Sequence, residues 1–124
     1  MSKIRVRYCK EVTADHARNP RNLAHVGHYR RAVCVTPALF DFPPNFVYGV
    51  LLHELGHIVK AGKPHSERDA DQLGGALARV RITRRAWHGA RWVEYVSNAD
   101  LPAARRTVNR FTDVQQLLSR ARKR

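Results

Sequence analysis

The stretch Phe46 to Val59 constrains the fold more than any other part of this 124-residue chain. With His53 at zero on a helical wheel, Val47, Val50, Leu51, Leu52, Leu55, Ile58 and Val59 fill nearly all the remaining circumference. A helix that is apolar all round has to be buried, so the rest of the chain must surround it. Its main polar interruptions are His53, Glu54 and His57. The helix is expected from about Asn45 to about Ala61. Gly62 suits the C′ position, and Pro64 cannot continue the helix. Gly49 and Gly56 lie beside the histidine stripe, where their missing side chains are expected to leave room for a metal or substrate.

The surrounding elements follow from local pattern. Ile4, Val6 and Tyr8 alternate with Arg5, Arg7 and Cys9, the period of a half-buried strand. Glu11 to Gly27 has no clear period and reads mostly as loop. His28 to Val35 ends in the apolar run Ala32-Val33-Cys34-Val35 and reads as a second strand. Pro37, Pro43 and Pro44 punctuate the connection to the buried helix. Ser66 looks like an N-cap with Asp69 as its capping-box partner, opening a helix from Glu67 to about Val80. Ala70, Leu73, Gly74, Leu77, Ala78 and Val80 form its apolar arc, and small residues at 74, 75, 76 and 78 permit close approach to the first helix. Trp92 to Val96 alternates like a strand. Helices are expected from Asp100 to about Phe111 and from Val114 to Arg122. With no internal repeat or linker, residues 1–124 read as a single α+β domain.

His53-Glu54-Leu55-Gly56-His57 is an H-E-x-x-H pattern. On a helix, positions i and i+4 stack one turn apart, so both imidazoles can reach one Zn²⁺, with Glu54 placed to act on its water. A catalytic zinc usually takes three protein ligands. Downstream candidates are His65, Glu67, Asp69 and Asp71. Glu67 and Asp71 share a helix face, which favours Glu67 at the metal with Asp71 behind it, orienting a ligand histidine. Asp69 is accounted for by the cap, and His65 in the turn could also bend toward the metal. His16, His25, His28 and His88 fit no ligand spacing and are expected at the surface.

The motif followed by Glu67-Arg68-Asp69-Ala70-Asp71 resembles the gluzincin class of zinc metallopeptidases, in which H-E-x-x-H precedes a helix carrying E-x-x-A-D or E-x-x-A-N. The resemblance covers about Val33 to Leu77. It is similar in pattern to the small cytoplasmic ImmA/IrrE-type peptidases, to phage-encoded peptidases and to the membrane-bound HtpX/Ste24 type. It implies a minimal zincin-like fold: a small N-terminal sheet, the H-E-x-x-H helix and a third-ligand helix. The strand from His28 to Val35 is likewise similar to the edge strand that holds substrate extended in zincins. Only nine residues separate His57 from Glu67, short beside the gluzincin pattern, so Lys60 to His65 must reverse the chain tightly. The implied activity is hydrolysis of peptide bonds by a metal-activated water, with Glu54 as general base, His53, His57 and Glu67 as ligands and Asp71 behind them. Tyr95, His88, Arg91 and His65 are all candidates to stabilise an oxyanion.

Charge adds a second line. There are 23 Lys plus Arg against 10 Asp plus Glu, a formal +13. Such a field concentrates nucleic acid first and acidic protein surfaces second. Arg79, Arg81, Arg84, Arg85 and Arg91 form one cluster. Arg105, Arg106 and Arg110 with the tail from Arg120 form another. Each is either a solvated face or a phosphate-contacting surface, on which Trp87 and Trp92 could stack bases if they are not core. The alternative function is therefore a nucleic-acid-binding protein with a structural zinc site, or a protease acting on nucleic-acid-bound proteins. The SprT type is an analogy for the second, although it uses a third histidine. Cys9 and Cys34 form no C-x-x-C pair and read as free thiols. Met1 to Lys10 has no apolar run of a signal peptide, and no stretch is long enough to span a membrane. The chain is therefore expected to stay in the cytoplasm.

Overall fold

A computed structural model describes residues 3–8, 23–26, 32–60, 63–87 and 91–122, without the side chains of 86, 87, 91, 92 and 120–122. The buried helix, α1, runs from Pro44 to Val59. Pro44 sits at its first position, where a missing N–H costs nothing. Every residue from Phe46 to Gly56 is buried. The last turn emerges, and Val59 is 55% exposed. Helix α1 ends two residues before the expected Ala61, and Gly62 lies outside the described residues.

A three-stranded sheet covers one side of this helix. Its strands are β1 (Arg5–Tyr8), β2 (Ala24–Val26) and β3 (Ala32–Val35), in the order β1-β3-β2. Strand β3 pairs parallel with β1 and antiparallel with β2. The expected edge strand is therefore central, with both its edges occupied, and cannot take an extended substrate. Strand β2 falls within the stretch read as loop; three residues are too few to show a period. Residues 28–31 of the expected second strand lie outside the described residues. The outer edge of β1 is closed by the chain's far end. Ile4 bridges Thr112, and Val6 N–H donates to the Asp113 carboxylate at 2.7 Å. An edge covered in this way offers no template for another strand.

The second helix, α2 (Glu67–Ala78), opens on the expected capping box. Asp69 N–H donates to Ser66 Oγ at 3.1 Å, and Ser66 N–H to the Asp69 carboxylate at 3.0 Å. It stops at Ala78 because Arg79 takes the left-handed conformation, φ 56°. Its Ala70, Gly74 and Ala78 are buried, whereas Leu77 is 38% exposed. The two helices touch backbone to backbone. A side chain at Gly74 would run into the Leu52 carbonyl, and one at Gly56 into the Ala70 carbonyl. At Gly49 a Cβ would lie 2.5 Å from Tyr95 Cα. The space beside the histidine stripe is thus filled by neighbouring backbone, not left for metal or substrate. Gly74→Ala is expected to destabilise the fold by about 3 kcal/mol, the upper range for forced overpacking. Urea unfolding of the two proteins measures it, and a loss below a few tenths of a kcal/mol contradicts this packing.

The remaining elements are a hairpin of β4 (Thr83–Trp87) and β5 (Arg91–Tyr95), then α3 (Leu101–Phe111) and α4 (Val114–Arg122). Asn45 and Val96 exchange hydrogen bonds of 3.1 and 3.2 Å, pinning the end of β5 to the start of α1. Val93, Val96, Ala104, Val108 and Val114 join Val33, Val35, Leu51, Leu52 and Leu55 in one core. Cys34 is a buried free thiol, and Cys9 lies outside the described residues. No helix among the described residues is long and apolar enough to cross a membrane. The architecture is α+β, with α1 at its centre.

Candidate metal centre

Helix spacing stacks the rings of His53 and His57 edge to face, with centroids 4.6 Å apart. Each ring is held from behind at Nδ1. His53 Nδ1 lies 2.6 Å from Asp71 Oδ1. A carboxylate accepts only, so this nitrogen carries the proton. His57 Nδ1 lies 2.8 Å from His65 Nε2, and His65 Nδ1 lies 2.7 Å from the Lys63 carbonyl. That carbonyl fixes the proton on His65 Nδ1 and leaves its Nε2 as an acceptor. His57 therefore donates from Nδ1 as well. Both ligand-type histidines are set in the tautomer that leaves Nε2 bare.

The two Nε2 atoms face each other at 3.0 Å. Glu67 Oε2 approaches them at 2.7 Å from His53 and 3.0 Å from His57. Three potential lone-pair donors thus converge, an arrangement that either an added proton or a bound cation compensates. The donor set, two imidazoles and one carboxylate, suits zinc. Around a tetrahedral zinc with bonds of about 2.0–2.2 Å, ligand atoms lie about 3.3 Å apart. The three atoms need to part by about 0.3 to 0.6 Å. The residues present fit the ion.

Donor atoms of His53, Glu54 and His57 lie within 4.8 Å of one another, and so do those of His53, Asp71 and Glu94. The second group sits on the Nδ1 side of His53, where Asp71 already takes the proton. The Nε2 side, which Glu67 completes, is therefore the better metal position. Without a metal, the centre favours an extra proton. Burial alone lowers the pKa of His53. Hydrogen bonds to Asp71 and Glu67, with the charges of Glu94 and Glu54, outweigh it and carry the pKa to about 10. Glu67 is held below the ordinary carboxylate range by its contacts with His53 and His57, against the opposing effect of burial.

Glu54 is 5% exposed and has no hydrogen-bond partner among the described residues. Burial raises its pKa to about 7, against the opposing pull of His53 and His57. In the metal-free protein such a carboxyl can both take and return a proton near neutral pH.

Two contributors were not legible in the sequence. Arg84, expected on a basic surface, turns into the site instead. Its Nε donates to Asp71 Oδ2 at 2.7 Å, and its Nη2 lies 3.7 Å from Glu94 and 3.9 Å from Glu67. Glu94 lies 3.7 Å from His53 Nδ1. Arg84 and Glu94 are direct cross-strand partners in the β4–β5 hairpin. That pairing is the signal that could have found them. Among the oxyanion candidates, Tyr95 follows Glu94 on the strand and so faces the other side. Its ring packs edge-on against Phe46 with centroids 5.2 Å apart. His65 holds His57 rather than facing the converging donors. His88 and the Arg91 side chain lie outside the described residues, as do His16 and His28. His25 is half-buried on β2, not at the surface as expected. Asp69 stays in its cap.

Asp71→Asn and His65→Ala are each expected to weaken zinc binding by about 10–100-fold, the usual cost of losing a group behind a ligand. Competition with a chromophoric chelator measures this. Unchanged affinity in both variants contradicts the orienting roles. Compared with protein-family models, with curated proteins and with solved structures, the chain matches none, so a functional reading has to rest on these side chains alone.

Proposed function

We propose that this chain is a zinc-dependent peptidase, with His53, His57 and Glu67 as ligands and Glu54 as general base. The observation that carries the reading is the convergence of three bare donor atoms, two imidazole and one carboxylate, beside a buried carboxyl of raised pKa. A zinc ion in such a set supplies Lewis acidity, polarising a carbonyl and lowering the pKa of water toward ~7. The chain's own residues do the rest. Asp71 and His65 keep the two imidazoles in register and in the right tautomer. Glu54 takes a proton from the attacking water and passes it to the departing amide nitrogen, which cannot leave as an anion. Arg84 and Glu94 hold Asp71 and His53 in place from the hairpin. The zincin-like character of the fold and the gluzincin resemblance belong to this same reading.

The test is hydrolysis of an unstructured protein such as casein, or of a fluorogenic peptide library, by protein reconstituted with one equivalent of zinc. Cleavage that a chelator removes and zinc restores supports the proposal. A protein that binds no zinc, or that binds one zinc ion and cleaves no peptide in the library, overturns it.

A further inference from the structure

Among the described residues, half of the eight acids gather in one place. Glu54, Glu67, Asp71 and Glu94 lie in the metal centre. Asp69 caps α2, and Asp113 holds Val6 N–H. Among the described residues four acids, Asp41, Asp69, Asp100 and Asp113, are left to offset the cations outside the site. The site absorbs one guanidinium in return, that of Arg84. The formal +13 therefore understates how positive the rest of the surface is.

Among the described residues, cations gather in one place in particular. On α3, Ala104 and Val108 face the core, and Arg105, Arg106 and Arg110 are exposed on the outer side. Arg106 and Arg110 are four residues apart and stack along one stripe. The end of α3 meets the start of β1, because Ile4 N–H donates to the Phe111 carbonyl at 2.7 Å. Lys3, Arg5 and Arg7, all exposed, flank that junction. None of these six side chains has a carboxylate partner among the described residues. Arg105 and Arg110 rest on ring faces instead, each 5.4 Å from the centroid of Tyr48 or Phe111. A guanidinium stacked on a ring keeps its N–H edge available to an outside acceptor.

The type of cation points to the partner. Of the 23 basic residues, 18 are Arg. The guanidinium fork matches phosphate oxygens in a bidentate manner that an ammonium cannot. We propose that the outer face of α3, continued by Lys3, Arg5 and Arg7 of the β1 segment, is a nucleic-acid-binding surface that contacts the phosphate backbone. The surface is separate from the metal centre and does not rest on the peptidase reading.

The experiment is a titration of the full chain into a fluorescent random-sequence DNA duplex at several salt concentrations. Each phosphate contact contributes about 0.9 to the slope of log K against log salt. The wild type is expected to show a steep slope. Arg5→Gln, Arg7→Gln, Arg106→Gln and Arg110→Gln together are expected to reduce it by about 3 to 4, with an unchanged circular dichroism spectrum. Arg79→Gln, Arg81→Gln and Arg85→Gln together, also at exposed positions, are expected to change it by less than half as much per charge. An equal loss per charge in both sets means a diffuse field and overturns the surface. Binding to poly-glutamate as tight as binding to DNA assigns the surface to acidic proteins and overturns it too. Glu54→Gln is expected to bind DNA like the wild type.

Discussion

Glu54→Gln is expected to reduce peptide hydrolysis by about 10³-fold, within the 10²–10⁴ range of a positioned general base, and to leave one zinc ion bound per chain. Three features combine to give this result. Glutamine has nearly the same shape, so the packing around a side chain that is 5% exposed survives. It cannot carry a proton in either direction. And the ligand atoms that converge are those of His53, His57 and Glu67, so the metal loses no donor. The rate on a fluorogenic peptide and the metal content are measured on the same sample. Loss of zinc would make Glu54 a ligand, and full activity would place the base elsewhere. Glu54→Asp sharpens the comparison. It retains an ionisable carboxyl but withdraws it by one methylene, so it is expected to fall between wild type and Gln.

How far the sequence was legible depended on how much of each element's energetics is local. Helix α1 could be read because burial on every side leaves a pattern independent of its neighbours. The start of α2 could be read because its cap is made by Ser66 and Asp69, three residues apart. Glu67 and Asp71 lie four residues apart on that helix, so a local spacing also marked the candidate third donor. The hairpin is the opposite case. Thr-Arg-Arg-Ala-Trp from Thr83 has no apolar alternation, and β4 exists because β5 pairs with it. Without that pairing Arg84 is one more arginine in a basic run. With it, Arg84 sits opposite Glu94, and both reach the candidate metal centre. The glycines show a related limit. A wheel shows where a side chain is missing but not what fills the gap, and at Gly49, Gly56 and Gly74 the filler is backbone distant in sequence.

The charge arrangement explains why the site needs the hairpin. Four carboxylates, Glu54, Glu67, Asp71 and Glu94, crowd around two histidines. Glu67 is exposed, but burying the other three acids together is costly unless they are compensated. Arg84 offsets part of this charge and orients Asp71 from the side away from His53. The remainder favours an extra proton on His53 and would favour a divalent cation in its place.

Zinc affinity is expected to rise about tenfold per pH unit between pH 7 and 9, with about one proton released per zinc bound at pH 7. His53 must give up the proton that its pKa of about 10 retains, since metal and proton compete for Nε2. The same shift sets the stability of the metal-free protein. A histidine whose folded pKa lies above its unfolded value of 6.5 binds more protons folded than unfolded. Its stabilising contribution is complete below pH 6.5 and is lost as pH rises through 10. Glu54, moved from 4.5 to about 7, acts in the same direction between those values: its ionisation in the folded state is opposed by burial, so stability falls as pH climbs from 4.5 to 7. Glu67 has the opposite sign. Its contribution is present above pH 4.5 and is lost in more acidic solution. The metal-free protein is therefore expected to be most stable in mildly acidic solution and to weaken toward pH 10. The zinc-bound protein gains stability as its affinity grows. The rise in melting temperature on adding a fixed excess of zinc should thus be larger at pH 8 than at pH 6. Buffers of different ionisation enthalpy report the released proton in a binding titration. A zinc affinity flat with pH, with no proton released, would mean that His53 is neutral before the metal arrives.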